Sequence, residues 1–294
     1  MLGSERITIP QWEKHGVEGK ERKEGEPIWE DIAQGQIDAM GAGHVENQLG
    51  QQDSIQLIEK FEGRDDAVWI GVYDGHYLPA EFLEDEIVPN KMAVAHLVEA
   101  FREAIKEGKN YEDAFKSAFA KVDEKILSQG WGGTTATVML VEGSDAWVAN
   151  VGDSHAYKFK KVLKPERLTA DHNIISNKLA KKEAIERGAV YARGYIHVPG
   201  GTGLKLSRSL GDRGMAEAVS HEPEVKKFKI TEDDQWLVVA SDGLWEEVGP
   251  QVVQYALQKS ANAEEAKKKI LEAVQNVEGG NYDDVSVVVV ELKK

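Results

Sequence analysis

The chain has 294 residues, of which 36 are basic and 51 acidic, so its formal net charge is −15 at neutral pH. This excess of acid opposes binding to nucleic acids and anionic lipids, and the absence of cysteine excludes disulfides, thiol nucleophiles and thiolate zinc sites. Because no apolar run reaches the roughly 18 residues of a membrane span and the N-terminus lacks a secretion signal, we expect a cytoplasmic protein that binds neither nucleic acid nor membrane.

The N-terminal segment differs in composition from the rest of the chain. Residues 1–40 are polar, rich in Gly, Lys and Glu, and lack clear periodicity. The remaining 254 residues are within the range of one large domain. We therefore predict an N-terminal extension over 1–40 and a single folded domain over 41–294.

Hydrophobic periodicity predicts the elements of the first half of that domain. A strand is predicted near 54–61, a second strand ends at Asp74, and two helical stretches cover 79–107 and 111–128. A meander of three strands follows, over 134–141, 146–151 and 156–160, with glycine-containing turns between them.

The second half is predicted to begin with a helical insert over 171–187 and a glycine-rich, mobile flap over 194–203. Its remaining elements are strands at 224–230 and 235–241, helices at 250–260 and 263–276, and a last strand at 284–292. Strands grouped together and helices grouped together favour antiparallel sheets flanked by helices over a strictly alternating parallel sheet.

Three aspartates stand where apolar, strand-like runs stop: Asp74, Asp242 and Asp283. Each would lie at the rim of the core, and carboxylates that converge at one rim form a site for a hard cation such as Mg²⁺ or Mn²⁺. The alternative for each alone is an ordinary residue of a turn or strand edge, since Asp-Gly, present at 74–75 and 242–243, is a common turn dipeptide.

Seven short motifs, taken in order, resemble those of the metal-dependent serine/threonine protein phosphatase family of type 2C; they lie at 72–76, 133–136, 149–154, 168–172, 206–212, 240–245 and 283–286. The resemblance runs from about residue 41 to the C-terminus. It implies an α+β fold: a four-layer αββα sandwich of two central antiparallel β-sheets flanked by helices. It also implies a pair of Mn²⁺ or Mg²⁺ ions at one edge of the sandwich.

The resemblance assigns metal-binding roles residue by residue. Asp74 would bridge the two ions, and the carbonyl of Gly75 would complete one coordination shell. Asp242 and Asp283 would hold the first ion, and Asp53 would support the second directly or through water.

A third, more weakly held ion corresponds to Asp153. Family members often place a second aspartate beside this ion, and Glu246 stands at that position here.

The implied activity is hydrolysis of phosphate monoesters on phosphorylated proteins or peptides, by attack of a water that bridges the two metal ions. His76 would act as general acid for the departing seryl or threonyl oxygen. Arg208 and Asp212 could fix a loop near the site by an ion pair, without a catalytic role. We expect a monomer.

Two positions depart from the family pattern. Gln48 stands where family members usually carry an arginine that binds the substrate phosphate, and Arg64 or Arg193 could take its place. Tyr77 and Leu78 stand where two small residues are common. These departures leave two alternatives open: a catalytically weak regulatory or binding module on the same fold, and a hydrolase of small phosphate esters.

Overall fold

Two antiparallel sheets lie at the centre of the structure, a computed structural model that describes residues 37–45, 52–76, 88–129, 132–200, 203–277 and 283–292. In chain order its strands are β1 (Ile37–Val45), β2 (Asp53–Ile58), β3 (Ala67–His76), β4 (Gly133–Thr134), β5 (Ala136–Glu142), β6 (Asp145–Val151), β7 (His155–Lys160), β8 (Glu166–Arg167), β9 (Val190–Ala192), β10 (Tyr195–His197), β11 (Leu210–Gly211), β12 (Glu224–Lys229), β13 (Asp234–Ala240) and β14 (Val285–Leu292). The helices are α1 (Pro89–Lys106), α2 (Tyr111–Gln129), α3 (Lys178–Glu186), α4 (Asp242–Glu247), α5 (Gly249–Gln258) and α6 (Ala263–Gln275).

The first sheet has the strand order β1-β14-β13-β7-β8, and the second has the order β11-β4-β3-β5-β6-β12, with β2 also paired to β3. All of these neighbours pair antiparallel. Helices α1 and α2 pack on the outer face of the second sheet, whereas α5 and α6 pack on the outer face of the first. The α+β fold of two antiparallel sheets with helices on both outer faces is therefore confirmed.

The alternation of side chains along β3 shows how the layers form. Val68, Ile70 and Val72 point into the core between the two sheets, whereas Trp69 and Tyr73 point outward into the core beneath α1 and α2. Successive side chains of a strand face opposite sides, so a strand covered on both sides is apolar at nearly every position. The Val-rich strand β14 is buried on both faces for the same reason.

Sequence periodicity predicted most elements within a few residues, but the helical insert is shorter than predicted. Only Lys178–Glu186 of the predicted 171–187 is helical. Asp171 and Asn173 each accept a hydrogen bond from the backbone N–H two residues on, at 2.9 Å, which favours turns over helix. Asn177 then caps the helix, because its side chain accepts from the N–H groups of its first turn.

Part of the region predicted to be a flap, over 194–203, lies in a β-strand. Strands β9 and β10 form a hairpin, and its two-residue turn, Arg193 and Gly194, has positive φ at both positions, as a type I′ turn requires.

Strand β1 has no counterpart among the predicted elements, and the domain boundary at residue 41 stays a prediction. Among the described residues, no helix has the length and apolar content to cross a bilayer.

Candidate active site

Two of the predicted site residues lie opposite each other at one end of the second sheet. The register of β2 and β3 pairs Asp53 with Asp74, and the N–H of Gly75 donates to the carbonyl of Gln52 at 3.0 Å just beyond them. Directly opposed residues of an antiparallel pair share one face. That face is the inner one, since Asp74 is in phase with the residues of β3 that point between the sheets.

Residues that follow β13, in the first sheet, lie against Asp53 and Asp74 of the second sheet. Ser241 follows β13, and its Oγ donates to Asp53 Oδ2 at 2.7 Å. The next residue, Asp242, begins α4, and its carboxyl group shares a hydrogen bond with that of Asp74. The other oxygen, Asp242 Oδ1, is buried and accepts no hydrogen bond from the described residues. Carboxyl groups from both sheets thus meet at one edge of the sandwich.

The start of β14 adds two adjacent carboxylates with different surroundings. Asp283 is exposed, yet its charge raises the pKa of both Asp74 and Asp242. Asp284 is buried, and its Oδ2 accepts a hydrogen bond from the N–H of Gln52 at 2.6 Å. Asp284 is not among the residues predicted to bind metal. The structure shows that it ties the start of β2 to β14, a contact between segments more than 200 residues apart.

Burial and mutual repulsion make these carboxyl groups hard to ionise. Burial, followed by the charges of Asp53 and Asp153, raises the pKa of Asp74 well above its ordinary value. Burial and then the charge of Asp74 raise the pKa of Asp242. Burial also raises the pKa of Asp53, although the hydrogen bond from Ser241 acts in the opposite direction. Positive charge placed among these groups would relieve the cost of ionisation.

The third predicted position lies beside this cluster. Burial raises the pKa of Asp153 to about 6, although Asn173 Nδ2 donates to its Oδ2 at 2.9 Å and opposes the shift. Glu246, an exposed residue of α4, is close enough for its charge to raise that pKa further. The structure thus places Asp153 and Glu246 near each other.

The carboxylates suit a divalent cation by their chemistry, since they offer only oxygen donors and the buried Asp242 Oδ1 lacks a hydrogen bond from the described residues. Within the same residues, no three His, Asp or Glu side chains are grouped tightly enough to form a complete metal site. The roles of Asp53, Asp74, Gly75, Asp242 and Asp283 as ligands therefore stay predictions.

His76, the predicted general acid, ends β3 and lies against Asp212. Its Nε2 is 2.8 Å from Asp212 Oδ2 and 3.0 Å from Oδ1. Burial lowers the pKa of His76, but the charge and hydrogen bond of Asp212, together with the charge of Asp153, outweigh this effect and raise it. About 20% of the side chain remains exposed, so a substrate can reach it.

The predicted ion pair between Arg208 and Asp212 is wrong. Arg208 Nη2 lies 3.4 Å from Glu183 Oε2 and 3.5 Å from Glu224 Oε1. Asp212 has a left-handed backbone conformation, with φ of 53°, and its N–H donates to the carbonyl of Gly132. Its carboxylate contacts His76 and Ser209 instead of Arg208.

The family model for protein phosphatase 2C matches residues 34–279. The chain belongs to the protein phosphatase 2C family. Among its relatives, a probable protein phosphatase 2C 28 of Arabidopsis thaliana is 29% identical over 224 residues, which cover 75% of this chain and 63% of that protein. The fold is likewise that of the phosphatase 2C family.

Two solved structures share the fold at low sequence identity. A sex-determining protein of C. elegans has a TM-score of 0.71 and 24% identity, over 90% of this chain and 66% of that one. A serine-threonine phosphatase 2C from Toxoplasma gondii has a TM-score of 0.71 and 18% identity, over 91% of this chain and 99% of that one. This chain thus spans about two thirds or less of the C. elegans protein and of the Arabidopsis relative.

The positions that depart from the phosphatase 2C pattern fall mainly outside the described residues. Gln48, Tyr77 and Leu78 all lie there. Arg64 is described, and it does not replace an arginine at the site. It pairs with Asp66 and Glu142 near the start of β3, roughly 24 Å along the strand from Asp74 at the rise of an antiparallel strand.

Proposed function

We propose that this protein is a metal-dependent phosphatase that hydrolyses phosphoserine and phosphothreonine monoesters in proteins or peptides. One observation carries the proposal: the buried carboxyl group of Asp53 and the half-buried carboxyl groups of Asp74 and Asp242 meet at the edge between the two sheets. Buried acids need a counter-charge to ionise at neutral pH. Membership of the phosphatase 2C family supports the same conclusion.

The residues that would hold two divalent ions are Asp74, the carbonyl of Gly75, Asp242, Asp283 and Asp53, with Asp153 and Glu246 beside a third. When bound, Mn²⁺ or Mg²⁺ supplies an activated water and neutralises charge on the transferring phosphoryl group. The protein contributes the fixed positions of these carboxylates, which come from the start of β2, the end of β3, the start of α4 after β13 and the segment just before β14.

His76 supplies the proton that the leaving group needs. His76 lies on β3, two residues after Asp74, which is one of the proposed metal-binding residues. Imidazole exchanges protons near neutral pH, which suits a general acid. Nucleophilic attack thus needs the carboxylate cluster, and departure of the alcohol needs His76.

Release of inorganic phosphate from a phosphothreonine peptide, measured with Mn²⁺ and with EDTA, tests the proposal. We expect turnover with the metal and none with the chelator. Binding of the peptide without turnover under any divalent ion would overturn the proposal in favour of a binding module. Turnover of p-nitrophenyl phosphate without turnover of the peptide would identify a hydrolase of small esters instead.

We expect the variant Gln48→Arg to lower the KM for phosphate monoesters severalfold. A guanidinium binds phosphate through two parallel hydrogen bonds and a full charge, whereas glutamine donates without charge. Steady-state kinetics on p-nitrophenyl phosphate measure the change, and Gln48→Met, of similar size but without polar groups, is the matched control. An unchanged KM in Gln48→Arg would show that position 48 does not contact the phosphate.

A further inference from the structure

Asp212 and His76 meet because β4 pairs with two strands at once. Gly133 of β4 lies opposite His76 of β3 on one side and opposite Gly211 of β11 on the other. Asp212 directly follows β11 and is therefore one residue beyond the pairing of Gly211 with Gly133. The result is a contact of 2.8 Å between His76 Nε2 and Asp212 Oδ2, formed by residues 136 positions apart.

The Asp212 carboxylate is itself held from several directions. Its own N–H donates to the carbonyl of Gly132 at 2.8 Å, and Ser209 Oγ donates to its Oδ2. The preceding residue is anchored as well, since the N–H of Gly211 donates to Asp123 Oδ1 at 2.7 Å. Only 6% of Asp212 is exposed. A carboxylate fixed in this way can hold a ring that would otherwise rotate.

The backbone next to the pair leaves no room for a side chain. A Cβ added at Gly133 would lie 2.3 Å from Asp212 Oδ2 and 2.6 Å from His76 Nε2. Both distances are shorter than any ordinary contact, so the two groups pack directly against the chain at this glycine. Gly133, the Asp212 carboxylate and the His76 imidazole are thus in close packing contact at the end of β3.

We infer that Asp212 is the positioning residue for His76 in the proposed phosphatase reaction, on which this inference rests. A carboxylate only accepts hydrogen bonds, so the Nε2 beside it carries a proton. With Nε2 held by Asp212, the proton given to the substrate comes from Nδ1. The same arrangement, an aspartate that fixes the orientation of a catalytic imidazole, operates in hydrolases of other folds.

Water adds its oxygen to phosphorus and loses one proton to solvent, the bond between phosphorus and the seryl or threonyl oxygen breaks, and Nδ1–H passes its proton to that oxygen. The products are the alcohol and inorganic phosphate, and the ring regains a proton from solvent while Nε2–H stays bonded to Asp212. A leaving group that departs readily as an anion does not need this proton.

The choice of substrate therefore tests the inference. We expect Asp212→Asn to lower kcat for a phosphoserine peptide roughly tenfold to thirtyfold, but kcat for p-nitrophenyl phosphate less than about threefold. His76→Gln should show the same contrast, and the double variant should lose little more than either single one, because the two groups act as a unit. The metal concentration is kept saturating for every variant.

Asp233→Asn is the matched control, since it removes an exposed carboxylate from the turn before β13, at the opposite end of that strand from Asp242. Its turnover should be unchanged on both substrates. If Asp212→Asn does not fold, Ser209→Ala, which removes a hydrogen bond to Asp212, should show the same contrast on a smaller scale.

Each outcome distinguishes the inference from the proposed function. A wild-type protein inactive on both substrates would overturn both. An active wild type whose Asp212→Asn or Ser209→Ala variant loses activity equally on the two substrates would overturn the positioning role alone.

Discussion

Replacing Asp242 with asparagine is expected to lower turnover of a phosphopeptide by about three orders of magnitude or more, which corresponds to about 4 kcal/mol of transition-state stabilisation. Asp242 starts α4 at the edge of the sandwich and shares a hydrogen bond with Asp74. An amide at this position is nearly the same size, but it lacks the charge that a divalent cation needs. Phosphate release with saturating Mn²⁺ measures the effect.

The fold should survive this change, and the matched control is an exposed aspartate. Asp233→Asn removes one negative charge from the turn before β13 and should leave turnover unchanged. Circular dichroism confirms that each variant is folded. Turnover of Asp242→Asn within tenfold of wild type would remove Asp242 from the metal-binding residues.

Divalent metal is expected to stabilise the protein at neutral pH and much less in mild acid. At a free concentration of 100 times Kd, binding to the folded state alone adds about 2.7 kcal/mol to the free energy of unfolding. Metal-free, the protein holds Asp53, Asp74 and Asp242 together with raised pKa values. These groups repel one another once they ionise, and bound cations remove that repulsion.

The sign of the pH dependence follows from the direction of these pKa shifts. A carboxyl group with a raised pKa in the folded state contributes stability that is fully present below its unfolded pKa and lost as the pH rises through the folded pKa. The metal-free protein should therefore lose stability as the pH rises from about 4 towards neutrality. Metal competes with protons for the same oxygens, so its effect is largest where the acids would otherwise be charged.

Urea unfolding with Mn²⁺ and with EDTA, at pH 7.5 and pH 5, measures both effects. Asp74→Asn should abolish most of the stabilisation by metal, whereas Asp233→Asn should behave as wild type. Equal stabilisation by Mn²⁺ in wild type and Asp74→Asn would place the metal elsewhere in the molecule.

The layers of the fold could be predicted from the sequence because each strand and helix carries its own pattern of apolar residues. Strands buried on both faces, such as β3 and β14, are apolar at nearly every position, and amphipathic helices show a period of 3.6 residues. The helical insert was predicted too long because Asp171 and Asn173 accept hydrogen bonds from nearby N–H groups. Such bonds depend on side-chain geometry, which periodicity does not report.

Part of the candidate site could be predicted for a similar reason. The end of an apolar run marks the rim of a buried sheet, and Asp74 and Asp242 stand at the ends of two such runs. The partners of these groups could not be predicted, because they come from distant segments. Ser241 contacts Asp53 only when the two sheets are packed together. Asp212 contacts His76 only when the short strands β4 and β11 pair.

Anomalous X-ray scattering from crystals grown with Mn²⁺ locates the metal independently of any activity. We expect manganese bound by carboxylate oxygens of Asp74 and Asp242 at the edge between the two sheets. Crystals with saturating Mn²⁺ and no anomalous signal at those two carboxylates would show that this edge is not a metal site.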